Sequence, residues 1–189
     1  MKALVNFLFE AGMLKKTPRT GYQFLGTGSE SVADHSFRTA IIGYALSIQE
    51  EEVNLLKVLL MCLFHDMAEA RTGDRNYLNK RYVSIDEESA VTDMVRNLPF
   101  GEDIVSLINE FNGTDTLEAK IARDADQLDL ILELKEQLDL GNRYAQEWLK
   151  YSIDRLITER AKMLAGEILD TDSTEWWFEK KRSLWVKER

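Results

Sequence analysis

The sequence is poor in the residues that staple, bend or thread a chain. Its single cysteine, Cys62, excludes an intrachain disulfide framework. Two prolines, Pro18 and Pro99, and ten glycines in 189 residues leave long uninterrupted segments, which suit helices better than many short strands. No apolar run reaches the roughly 18 residues of a membrane span. The opening stretch MKALVNFLFEAGML looks like a secretory leader, but Asn6, Glu10 and the lack of a small-residue cleavage site argue for an amphipathic helix and a cytoplasmic protein. Positive charge is scarce as well: 24 Lys and Arg against 33 Asp and Glu give a net charge of −9, with no basic cluster longer than Lys180-Lys181-Arg182. That disfavours polynucleotide binding. A small anionic substrate stays open, because a bound cation and a few arginines can reverse the field inside one pocket.

What is present is a core's worth of apolar residues, 44% of the chain, enough for one all-α domain. The stretch that organises it is VLLMCLFHDMAEARTGDR, residues 58–75, where an apolar run leads into His65, Asp66 and Glu69 and breaks at Thr72-Gly73. Burying an imidazole and carboxylates without partners would cost several kcal/mol, on the order of the desolvation of a charged group. A metal ion is the natural partner. A helix over 53–71 would set His65 and Glu69 one turn apart, with Asp66 about 100° round the axis. Two other segments offer ligand types inside apolar patterns: SESVADHSFRTA carries His35, and IARDADQLDLIL carries Asp126. Cys62, within LLMCLFH, reads as a small core residue.

Periodicity and caps predict helices over 2–14, with Leu4, Phe7, Leu8 and Met13 toward the core, and from a Ser31/Asp34 capping box to about Gln49, with His35 early on it. Further helices are expected from a Ser84/Glu87 capping box to Leu98, over 101–112, from Thr116 to about 140, and over 143–165. Asp124 and Asp129 read as a solvated face of the 116–140 helix. The glycines Gly21, Gly26 and Gly28 lack a Walker lysine and make no phosphate-binding loop. The tail TDSTEWWFEKKRSLWVKER, with Trp176, Trp177, Phe178 and Trp185, reads as an aromatic helix docked on the core or on a partner subunit.

His35, His65-Asp66 and Asp126 in that order, with TPRTG, ESVADHS, FHDMAEARTGD and RDADQLD around them, resemble the HD-domain metal-dependent phosphohydrolases, in particular the small branch that includes 5'-deoxynucleotidases. The likeness spans roughly residues 1–165. It implies an all-α bundle over 1–170, followed by the 171–189 tail, with His35, His65, Asp66 and Asp126 as metal ligands. The ligand aspartate follows from aligning the family's lysine-any-small-aspartate motif with Arg123, Asp124, Ala125 and Asp126. The likeness further implies Glu69 and Asp74 as acid or base and Arg19 on the substrate phosphate, for which a planar guanidinium is suited. Some deoxynucleotidase relatives have a tryptophan after that arginine; here Thr20, Gly21 and Tyr22 follow. With two histidines in the chain, one divalent transition metal (Mn, Co, Fe, Ni or Zn) is expected rather than a histidine-rich dinuclear centre. The implied activity is hydrolysis of (deoxy)nucleoside 5'-monophosphates by a homo-oligomer, a dimer being favoured. A phosphodiesterase, a nucleoside polyphosphate hydrolase and a nucleotide sensor without turnover are the alternatives.

Overall fold

The computed structural model describes residues 1–178. Its helices are α1 (Lys2–Ala11), extended by a 3₁₀ turn Gly12–Lys16, then α2 (Tyr22–Leu25), α3 (Val32–Ser47), α4 (Leu55–Phe64), α5 (Glu69–Thr72), α6 (Glu87–Val95), α7 (Gly101–Gly113), α8 (Leu117–Asp139), α9 (Tyr144–Ile153) and α10 (Glu159–Asp170). Among the described residues there are no β-strands and no helix long and apolar enough to cross a membrane. Lys180–Arg182 and Trp185 lie outside the described residues. The stretch 171–178 just before them is turn, and Trp176 in it is exposed.

The 23-residue α8 is the axis of the domain, with α3, α4, α7, α9 and α10 packed around it. Leu128, Ile131 and Leu134 on α8 are fully buried, as are Val58, Met61 and Cys62 on α4. Helices α3 and α4 approach closely at Gly43, where a Cβ would come within 2.7 Å of Cys62 Sγ. Cys62 is thus the core residue its setting implied, and burial pushes its thiol up to about 12.

Neighbouring helices cover the parts of α8 that carry two further carboxylates. Asp124 and Asp129, expected in water, are instead completely buried. Asp124 accepts from the backbone N–H groups of Ile157 (2.7 Å) and Thr158 (2.8 Å) and from the Thr158 hydroxyl (2.6 Å). It therefore satisfies donors at the start of α10 that have no partner within that helix. This capping point is also why the expected 143–165 helix is two helices, broken at 154–158.

Other local expectations shift as well. The Ser31/Asp34 capping box of α3 is present in both directions, whereas α6 is capped by Asp86, which accepts from Ser89 N–H at 2.9 Å, and not by Ser84. In the first helix Phe7 and Leu14 are buried while Leu8 and Met13 are exposed. The predicted 53–71 helix is interrupted. α4 ends at Phe64, and residues 65–70 turn through tighter bonds, among them Met67 N to Phe64 O (3.0 Å) and Glu69 N to Asp66 O (3.0 Å). Residues three apart are eclipsed in such 3₁₀-like turns, so Glu69 lines up with Asp66 rather than with His65.

Candidate metal centre and its cavity

Four side chains from two helices and one turn converge. His35 comes from the second turn of α3, held in place by the capping box, and Asp126 from α8. His65 and Asp66 stand at the point where α4 gives way to the tight turn. The Nε2 atoms of His35 and His65 are 3.3 Å apart. Asp126 Oδ1 lies 3.2 Å from His35 Nε2 and 3.9 Å from that of His65; Asp66 Oδ2 lies 3.7 and 3.2 Å from the same two atoms. The ligand atoms of His35, His65 and Asp126 all fall within 4.8 Å of one another, a spacing that can hold a metal ion.

The other ring nitrogens explain why both Nε2 atoms face inward. His65 Nδ1–H donates to the Cys62 carbonyl at 2.9 Å, since a carbonyl can only accept. His35 Nδ1 is 2.6 Å from Asp129 Oδ2, and Asp129 is held in turn by Arg38, which also pairs with Glu133 and with Glu136 (2.9 Å). A carboxylate behind a histidine in this way fixes its tautomer and ring orientation and raises its basicity. Sequence reasoning missed Asp129. The available signal was its place one turn from Asp126, at i+3 on the same helix.

The electrostatics favour positive charge at the centre. Burial and Arg19 work against an imidazolium at His35, but the hydrogen bonds to Asp126 and Asp129 hold its pKa up at about 10. His65 is raised too: burial opposes the charge, and Asp66 and Asp126 outweigh it. Burial alone would raise Asp126, yet the hydrogen bond from His35 and the charge of His65 keep it down at about 2. Asp66 is likewise held far below the usual range by His65, His35 and Arg19 against the effect of burial. A pocket that favours the charged form of two imidazoles and keeps two carboxylates ionised favours a cation at its centre, so the donor set fits a metal.

Beside this centre is a cavity of about 730 Å³ lined by His65, Asp66 and Asp126 and by Arg19, Glu69 and Asp74. Arg19 arrives through a short backbone pairing of Thr17–Arg19 with Glu30–Val32: Arg19 N bonds Glu30 O and Val32 N bonds Thr17 O, each at 2.9 Å. This docks the Arg19 segment on the start of α3 and brings Arg19 Nη1 to 3.4 Å from Asp66 Oδ2. Gly73 adopts φ 69°, ψ 154°, a conformation open mainly to glycine, and turns the chain so that Asp74 returns. Asp74 Oδ2 accepts from both the N–H and the hydroxyl of Thr20, the latter at 2.9 Å, and so ties the Arg19 loop to the end of α5. Burial, with Asp66 and Asp74 adding to it, pushes Glu69 up to about 9, and its buried Oε2 has no hydrogen-bond partner in the protein.

All seven residues expected at the site are thus brought to one place, by α3, the α4–α5 turn, α8 and the Arg19 loop. An all-α domain that gathers two imidazoles and two carboxylates at the head of one cavity defines a class of helical proteins built around a metal centre. The chain belongs to the HD domain family, which matches residues 11–167. It is 31% identical over 148 residues to human 5'-deoxynucleotidase HDDC2, covering 75% of this chain and 72% of that one. Its fold is that of a conserved hypothetical protein of Pyrococcus furiosus (TM-score 0.75, 26% identity, 88% of this chain and 99% of the other). A predicted metal-dependent phosphohydrolase of Magnetospirillum magnetotacticum shares the fold (TM-score 0.70, 22% identity, 89% and 90% coverage).

Proposed function

We propose that this protein is a metal-dependent phosphomonoesterase that releases phosphate from deoxynucleoside 5'-monophosphates. The observation that carries this reading is the placement of Arg19 and Glu69 in the same cavity as the His35, His65, Asp66 and Asp126 cluster. Those four residues would hold one divalent transition metal per chain. Such an ion supplies a water of lowered pKa and offsets charge on the phosphoryl oxygens. Arg19 presents a permanently charged guanidinium to the phosphate. Glu69, which lines the cavity with a buried Oε2 that has no hydrogen-bond partner in the protein, is the group placed to take the proton of the attacking water. Asp74, anchored by Thr20, keeps the Arg19 loop against the site and is the group in the cavity lining that would pass a proton to the departing ester oxygen. The human relative's name, 5'-deoxynucleotidase, agrees with this substrate class.

The assembly follows the same reading. Phe37, Ile41, Tyr44 and Ile48 form an exposed apolar stripe along one face of α3. A helix stripe of this kind can meet its own copy across a two-fold axis, giving a homodimer in the cytoplasm. The test of function is phosphate release by the metal-loaded protein from nucleoside mono-, di- and triphosphates and cyclic nucleotides. Release from deoxynucleoside 5'-monophosphates is expected. Release confined to polyphosphates or cyclic nucleotides would replace the reading with the corresponding hydrolase, and none from any substrate would leave a sensor.

A further inference from the structure

The cavity is far larger than a phosphate and a metal ion require, and one part of its remaining wall is aromatic. Trp148 and Tyr151, three apart on α9 and so on one face, line it together with Tyr77, which lies three residues beyond Asp74. Tyr77 and Tyr151 are about two-thirds exposed, at 63% and 67%, so neither ring is there to fill the core. Phe24 joins two of these rings, with centroids 5.6 Å from Tyr77 and 6.4 Å from Trp148. The wall also abuts the polar end directly. Gly21, two residues after Arg19, backs the Trp148 ring, whose nearest atom would lie 3.6 Å from a Cβ at that position. Thr20, between them, has its N–H and its hydroxyl committed to Asp74.

We infer that Trp148 and Tyr77 form the nucleobase subsite, a stacking wall that takes the planar base of the substrate while its phosphate lies at Arg19 and the His-Asp cluster. This rests on the phosphomonoesterase reading above. Every base has a π-face, so a stacking wall favours nucleotides over other phosphomonoesters. The three contributing segments, 21–24, 77 and 148–151, are remote in sequence, and none carries a motif.

The test compares a deoxynucleoside 5'-monophosphate with 2-deoxyribose 5-phosphate, which keeps the phosphate and sugar and lacks the base. For the metal-loaded full chain, the ratio of kcat/KM for the nucleotide to that for the sugar phosphate should fall about 5- to 150-fold in Trp148→Ala. It should fall by less in Tyr77→Ala, and Trp148→Phe should keep most of the preference. In parallel, the nucleotide should quench tryptophan fluorescence in the wild type and not in Trp148→Phe, whereas 2-deoxyribose 5-phosphate should quench neither. An unchanged ratio in both alanine variants, or equal quenching with and without Trp148, would overturn the subsite. Should the wild type release no phosphate from any monophosphate, the hydrolase reading fails alone, and the fluorescence comparison still decides whether Trp148 meets the base.

Discussion

Replacing Asp129 with asparagine probes the support behind the metal centre with almost no change of shape. In the native protein Asp129 is completely buried, with one oxygen 2.6 Å from His35 Nδ1 and the other on Arg38 Nε. Asparagine can still accept from His35 through its amide oxygen, but the negative charge that strengthens His35 as a donor is gone. Loss of such a partner typically lowers metal affinity about 10- to 100-fold, or about 1.4 to 2.7 kcal/mol. Stability should fall less than the roughly 3–5 kcal/mol expected for a broken buried ion pair, because Arg38 keeps Glu133 and Glu136 and is itself partly exposed. The assay is calorimetric titration of the metal-stripped protein with Mn²⁺ or Co²⁺, alongside thermal unfolding. Asp124→Asn is the matched control: equally buried on the same helix, it should lower the melting temperature through loss of the α10 cap and leave metal affinity as it was. Wild-type affinity in Asp129→Asn, or an equal loss in both variants, would refute the argument that Asp129 acts through His35.

Asp126→Ala should abolish stoichiometric metal binding, measured by metal analysis after dialysis; retention of a full equivalent would mean the aspartate is misassigned. Glu69→Gln should keep metal and nucleotide binding while phosphate release falls about 10²- to 10⁴-fold, and Arg19→Ala should chiefly raise KM, since the contact to phosphate proposed for it would be made before the reaction begins. Burial, with Asp129 and Glu133 adding to it, pushes Glu30 up to about 7, so the folded state holds that proton more tightly than the unfolded chain. Stability from this residue is therefore lost as pH rises from about 4.5 to 7 and is flat above; Glu30→Gln should remove that slope in urea-unfolding series, and an unaltered slope would show that Glu30 is not its source. Ile41→Glu should shift the protein toward monomer in light scattering if α3 is the dimer face.

The chain's own order of residues determined more of the site than of the packing. The candidate ligand types, their sequence and the embedding of each in an apolar helical pattern could be read along the chain because a helix start such as Ser31-Val32-Ala33-Asp34 is a local event, decided by hydrogen bonds within one turn. The same holds for Gly73, whose backbone no other residue would adopt as readily. What depended on several segments at once was not legible. The tight turn after Phe64 sets Glu69 against Asp66, a choice between bonds three and four residues apart that periodicity does not report. Whether Asp124 and Asp129 meet water depends on how many helices surround α8, and their opposite jobs, capping α10 and backing His35, depend on which partner each one faces. Trp148 looked like any aromatic on an amphipathic helix; only the closure of α9 over Gly21 places it in the cavity wall beside the Arg19 loop. Local chemistry is written along the chain, whereas burial and neighbour identity belong to the folded whole, because both are properties of surfaces that exist only after the helices have packed.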